Sequence, residues 1–189
     1  MDQKNADGST ASWQPNVLDA RMAVSVLVCI LVATILSSTD LTWPVGEAHL
    51  EVIQKMTACI SCLLCCQDGL MASKGAGLNR VVVTMVGGLV GVAVTALDVA
   101  LGGNPWTLVL LVPVGTVLTL CLCRLAGVPA FNARIGGITF ILVSCTLTGT
   151  LRIWYAAFRL VSTVFAALVV LCVTWLFELA QEKSAGTSM

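Results

Sequence analysis

Charge is scarce in this sequence. Only 11% of its 189 residues are Asp, Glu, Lys or Arg, where a soluble domain carries about 25%. The ten basic and ten acidic residues cancel, so no polyelectrolyte is implied as a partner and nucleic acid binding is not expected. Histidine occurs once, at His49, leaving no histidine pair to complete a zinc site with cysteine. There is no Gly-rich loop ending in Gly-Lys-Ser or Gly-Lys-Thr, which argues against direct use of ATP. No nucleophile–base pair stands out for hydrolysis. The expectation is a protein that is not an enzyme, with no cofactor and no metal.

Apolar residues fill the space that charge leaves. They make up 58% of the chain, and the mean hydropathy is +0.96. The partner this implies is the lipid bilayer. The expected fold class is all-α, a polytopic membrane protein of six transmembrane helices. Val17–Leu36 reads as the first span. Arg21 ahead of an apolar run also fits a signal peptide, but Asp19 beside it and the lack of a small-x-small cleavage site favour a span. Ser37–Leu50 reads as a loop turning at Pro44–Val45–Gly46. Span two, Met56–Gln67, is shorter than the ~20 residues a crossing needs. It crosses only by running on past Asp68 towards Ala72, with Lys55 reaching the interface. Ala72–Gly77 (ASKGAG) reads as a tight turn before span three, Val81–Leu97. A second turn, Gly102–Pro105, precedes span four, which starts at Trp106 and ends at Cys123 with Pro113 and Gly115 inside. A basic loop, Arg124–Arg134, leads to span five, Ile135–Leu151, and span six is Trp154–Phe177.

Domain boundaries follow from these spans. Residues 1–16 form a polar tail, 17–178 the six-helix membrane domain, and 179–189 a short second tail. With the N-terminus inside, Lys4, Arg21, Lys74, Arg80, Arg124, Arg134 and Lys183 fall at inner ends. Lys55, Arg152 and Arg159 fall at outer ends, so the basic bias places both termini in the cytoplasm.

One stretch is repeated. Gly77–Gly91 (GLNRVVVTMVGGLVG) carries Arg80, Thr84, Gly87, Gly88 and Gly91. Ala156–Val170 (AAFRLVSTVFAALVV) carries Arg159 and Thr163 at an offset of 79 residues, with Ala166–Ala167 opposite Gly87–Gly88. Positions i, i+4 and i+7 share a helix face, so each copy shows Arg, Thr and small residues on one stripe. Two copies in a six-span chain imply two inverted three-helix repeats, about 17–98 and 105–178. Arg80 and Arg159, each read as opening its helix, suit an anionic substrate, since a guanidinium and free backbone amides make an electropositive pocket. Anchoring at lipid headgroups is the alternative. Thr84 and Thr163 either hydrogen-bond the substrate or return to a carbonyl one turn back. Gly87, Gly88, Gly91, Ala166 and Ala167 read as helix-packing positions.

Nine cysteines remain. Cys59, Cys62, Cys65 and Cys66 (CISCLLCC) include a CxxC, the spacing of a thiol redox pair formed by Cys62 and Cys65. Within an apolar run, such cysteines more commonly pack as small hydrophobes.

The stretch GLNRVVVTMVGG resembles the signature of the fusaric acid resistance and aromatic acid exporter family, and AAFRLVSTVFAALVVLCVTWLF resembles its second copy. The similarity extends loosely over Val17–Phe177, including CRLAG after span four. It departs from the family at Ala166, which stands where the second glycine belongs, and in lacking the cytosolic domain of longer relatives. The resemblance implies a secondary transporter exporting aromatic or related organic anions across a bacterial inner membrane. It carries substrate contact onto Arg80, Thr84, Arg159 and Thr163. Because larger relatives contain two such units, it also implies a homodimer, with a periplasmic adaptor as a further partner, or else a non-transporting membrane subunit.

Overall fold

A computed structural model describes residues 17–38, 42–45, 48–102, 105–146 and 151–186. The expected N-terminal tail, 1–16, lies outside the described residues, as does the connection at 147–150. Six helices make up the fold: α1 (Val17–Ser38), α2 (Lys55–Cys65), α3 (Leu70–Ala100), α4 (Pro105–Leu125), α5 (Ala130–Thr146) and α6 (Leu151–Gly186). Between α1 and α2 stands a two-stranded antiparallel hairpin, β1 (Thr42–Val45) and β2 (Ala48–Glu51), with Thr42 opposite Glu51 and Val45 opposite Ala48. The segment expected as a plain loop therefore contains a strand pair, and Pro44 and Val45, expected to turn, lie in β1 opposite His49 and Ala48.

Four helices, α1, α3, α4 and α6, are long and apolar enough to cross a membrane. The chain is thus an all-helical membrane protein apart from its small hairpin. Four of the six expected spans have crossing length, and the other two correspond to shorter apolar helices. α2 has 11 residues, about 16 Å at the helical rise, against a hydrocarbon core of about 30 Å. It stops because Cys66 is extended, and Asp68–Gly69 bend the chain into α3. α5 has 17 residues.

The long helices overrun their expected limits. Ala72–Gly77, expected to turn, lies inside α3. Gly77 packs closely on α6, where a Cβ would stand 3.3 Å from the Cβ of Ala167, while Gly75 faces open space. The true start of α3 is Leu70, whose N–H donates to Glu178 Oε1 at 2.9 Å. That carboxylate satisfies an otherwise free amide at the positive end of the helix. The residues expected to form a C-terminal tail instead continue α6 to Gly186. Left-handed glycines mark two stops, Gly102 (φ 93°) after α3 and Gly127 (φ 77°) after α4. The basic loop after span four shrinks accordingly, with Arg124 in α4 and Arg134 in α5.

The interior is more polar than the surface. Ser25, Ser61, Thr119, Ser162, Thr163 and Thr174 are fully buried, whereas Leu27, Leu31 and Ile35 of α1 and Val109, Leu110 and Val114 of α4 are exposed. Lipid removes any hydrophobic reason to bury leucine, so small residues that permit close approach take the helix interfaces. α3 and α6 pack on one another at the centre. α3 also packs on α4 and α5, α6 packs on α1 and α2, and the pairs α1–α2 and α4–α5 are in contact.

Adjacent glycines in α3 have different neighbours. A Cβ on Gly87 would collide with the Gly136 carbonyl oxygen of α5, and one on Gly91 would lie 2.9 Å from the Val143 side chain. Gly88 faces α6 instead, with 3.7 Å to the Ala156 Cβ, an ordinary contact. Gly87→Ala should therefore destabilise the protein by about 1–3 kcal/mol, the usual cost of overpacking, while Gly88→Ala stays near wild type. Thermal unfolding in detergent checks this pair, and equal melting shifts for the two variants would contradict the packing described.

Candidate functional site

α2 and α5 do not pack on each other as the long helices do. Between them lies a cavity of about 650 Å³. α2 contributes Thr57, Ile60 and Leu64, α5 contributes Ile135, Ile138 and Leu142, α3 contributes Arg80, and α6 contributes Tyr155 and Arg159. Both repeated arginines thus reach one cavity. The expectation had placed one near each face.

Neither arginine opens a helix. Arg80 follows ten residues of α3 and Arg159 follows eight of α6. The free amides of a helix N-terminus are therefore out of reach, and the electropositive character comes from the guanidinium groups. Headgroup anchoring also fits poorly, because Arg80 is only 5% and Arg159 only 7% exposed. The α3 boundary was misread because GLNR looks like a polar helix start and Ala72–Gly77 (ASKGAG) before it looks like a turn.

Hydroxyls one turn apart on α2 receive the two arginines. Arg159 Nη1 donates to Thr57 Oγ1 at 3.2 Å, and Arg80 Nε approaches Ser61 Oγ at 3.5 Å. Thr57 Oγ1 in turn donates to Gln54 Oε1 at 3.0 Å. The Gln54 backbone N–H donates to Ser162 Oγ at 2.8 Å, which ties the start of α2 to α6. The Arg80 Nη1 has no hydrogen-bond partner. Among the described residues, neither arginine has a carboxylate partner. Glu51 does line the cavity, but its Oε1 accepts from Lys55 Nζ at 3.2 Å and from Ser37 Oγ at 3.1 Å. With Lys55 also in the lining, three cations face one engaged carboxylate. The remaining wall is largely aliphatic. This combination accepts an anion with an apolar body.

The threonines of the repeat lie elsewhere. Thr163 is fully buried and donates to the Arg159 carbonyl at 2.8 Å, one turn back. Thr84 lines a separate cavity of about 250 Å³ between α3 and α6, with Gly88 and Ala156 among its neighbours. Ala166 and Ala167 pack against Cys29 of α1 and Ala58 of α2. Sequence reasoning missed Thr57, Ser61 and Gln54. Their signal was present: Thr57 and Ser61 are four apart, small polar residues on one face of an apolar helix.

The cysteine cluster also rearranges. Cys62 lies 3.0 Å, sulfur to sulfur, from Cys29 of α1, and both are fully buried. Cys65 shares their cluster but is not the residue whose sulfur meets that of Cys62. Among the described residues, no group of three His, Cys, Asp or Glu side chains is placed to hold a metal ion.

No protein-family model matches this chain, and no curated protein matches it.

The thiol geometry makes a direct prediction. Mild oxidation of the detergent-solubilised protein with iodine should link Cys29 to Cys62, read as a cross-linked peptide by mass spectrometry. A dominant Cys62–Cys65 link would contradict the packing of α1 on α2. Replacing Cys62 and Cys65 together by Ala should leave anion binding at the arginine cavity unchanged, since neither thiol lines it.

Proposed function

We propose that this protein is a secondary transporter of small organic anions, working from the cavity that Arg80 and Arg159 share. The carrying observation is the convergence of two buried, carboxylate-free guanidinium groups from different helices on one largely apolar cavity. A charge inside a membrane costs about 2.5–3.5 kcal/mol on insertion scales, and such residues mark substrate paths and ion relays. Two like charges facing one cavity raise that cost unless an anion joins them. The aliphatic wall and Tyr155 suit a carboxylate carried on a ring or a short apolar chain. That is the substrate class implied by the resemblance of GLNRVVVTMVGG to the aromatic acid exporters.

The helix pattern supports the two-repeat architecture. Lengths run 22, 11 and 31 residues over α1–α3 and 21, 17 and 36 over α4–α6. Exchanging α1 with α4, α2 with α5 and α3 with α6 carries the helix neighbours described above onto one another. Inverted halves of this kind let a transporter open to either side by exchanging their conformations. We assign the protein to a bacterial inner membrane with both termini in the cytoplasm, on the basic-residue bias.

Benzoate serves as the probe. Titration calorimetry on the purified protein should show saturable benzoate binding and none of neutral benzamide. Arg80→Lys and Arg159→Lys keep the charge and lose the planar fork, so each should weaken benzoate by roughly tenfold or more, the scale of one charge-assisted hydrogen bond. Unchanged affinity in both lysine variants, at matched thermal stability, would remove the arginines from the site.

A further inference from the structure

A second cavity, of about 530 Å³, lies at the other end of α2. Its polar lining is carboxamide: Gln67 just beyond α2, Asn79 of α3 and Asn132 of α5. It contains no charged side chain. Three of its walls, α2, α3 and α5, also border the arginine cavity, and Leu18 and Met22 of α1 complete it. On α3, Asn79 adjoins Arg80; on α5, Asn132 precedes Ile135 by one turn; on α2, Leu64 is common to both linings.

From this arrangement we infer that the two cavities are successive stations of one solute path along α2, closed at Leu64. The inference rests on the transport reading. The arginine station begins at the first turn of α2, at Thr57, and the carboxamide station ends past its last turn, at Gln67. Together they follow the whole length of the helix. Leu64 is half-buried and borders both. A hydrophobic constriction of this kind stops ions by excluding their water. The stations also differ in the required sense. The first offers an anion guanidinium groups, and the second offers only neutral amide donors, so an anion that passes Leu64 is held less tightly and can leave. Conduction and transport both need this fall in affinity along the path.

The experiment uses proteoliposomes of the full chain with the halide-quenched dye lucigenin trapped inside and iodide added outside. Leu64→Ala should admit iodide roughly tenfold faster than wild type or more, as an opened hydrophobic gate does. Leu118→Ala, on the exposed face of α4, should not. Adding Asn132→Trp to Leu64→Ala fills the second cavity and should return the leak to the wild-type rate. In the opposite direction, Asn132→Trp alone, at a residue of the second cavity and not of the first, should block benzoate exchange while calorimetric benzoate binding persists. This variant decides the matter if Leu64→Ala does not fold. An iodide leak in Leu64→Ala no faster than in Leu118→Ala, with benzoate binding intact, overturns the gate and leaves the arginine site standing. Wild-type benzoate exchange through Asn132→Trp also overturns it. A leak in Leu64→Ala from a protein that binds no benzoate supports the path and removes the organic-anion reading instead.

Discussion

Two positive charges that lipid disfavours and no carboxylate neutralises set the terms for this molecule. Arg80 and Arg159 are buried in long apolar helices, yet both border the same opening in the helix packing. Their partial satisfaction comes from hydroxyls of α2, Ser61 and Thr57. A hydroxyl can accept a hydrogen bond but cannot cancel a charge. An anion would cancel that charge, which is the ground for the binding site proposed above; a built-in carboxylate would have met the same need from within the protein.

The space for this site comes from the small residues and from the two short helices. Gly87 and Gly91 draw α5 onto α3 until backbone meets backbone, and Gly77 lets α6 approach through Ala167. α2 and α5 are not among the closely packed pairs, and both cavities have lining residues from each of them. The Gln54 network fastens the start of α2 to α6. At the far end the helix stops at an extended Cys66, and there Cys62, Cys65 and Cys66 are buried while Gln67 N–H donates to Ser73 Oγ of α3 at 3.0 Å.

Much of this was legible in the residues before any coordinates. The four long apolar runs, the positions of Arg80 and Arg159, and the close-packing stripe at Gly87–Gly91 all follow from hydropathy and helical spacing. Helix limits did not. ASKGAG has the composition of a turn, yet it lies within α3, where Gly77 meets Ala167 of α6 and Ser73 meets Gln67, tertiary facts with no local signature. The same misreading put both arginines at helix starts, and hence at opposite faces, when each lies several turns in. The CxxC spacing likewise pointed along α2, whereas the nearer thiol partner of Cys62 comes from α1. Contacts between helices distant in sequence were the part that spacing could not supply.

The central claim is that Arg80 and Arg159 hold one anion between them. It is tested most directly by locating a heavy-atom carboxylate in an experimental structure. Crystals of the protein soaked with 4-iodobenzoate should show an iodine anomalous peak inside the cavity bounded by Ile138, Leu142 and Tyr155, with the carboxylate at the two guanidinium groups. Iodine confined to the lipid-facing surface, with the arginine cavity empty at saturating ligand, would contradict the account.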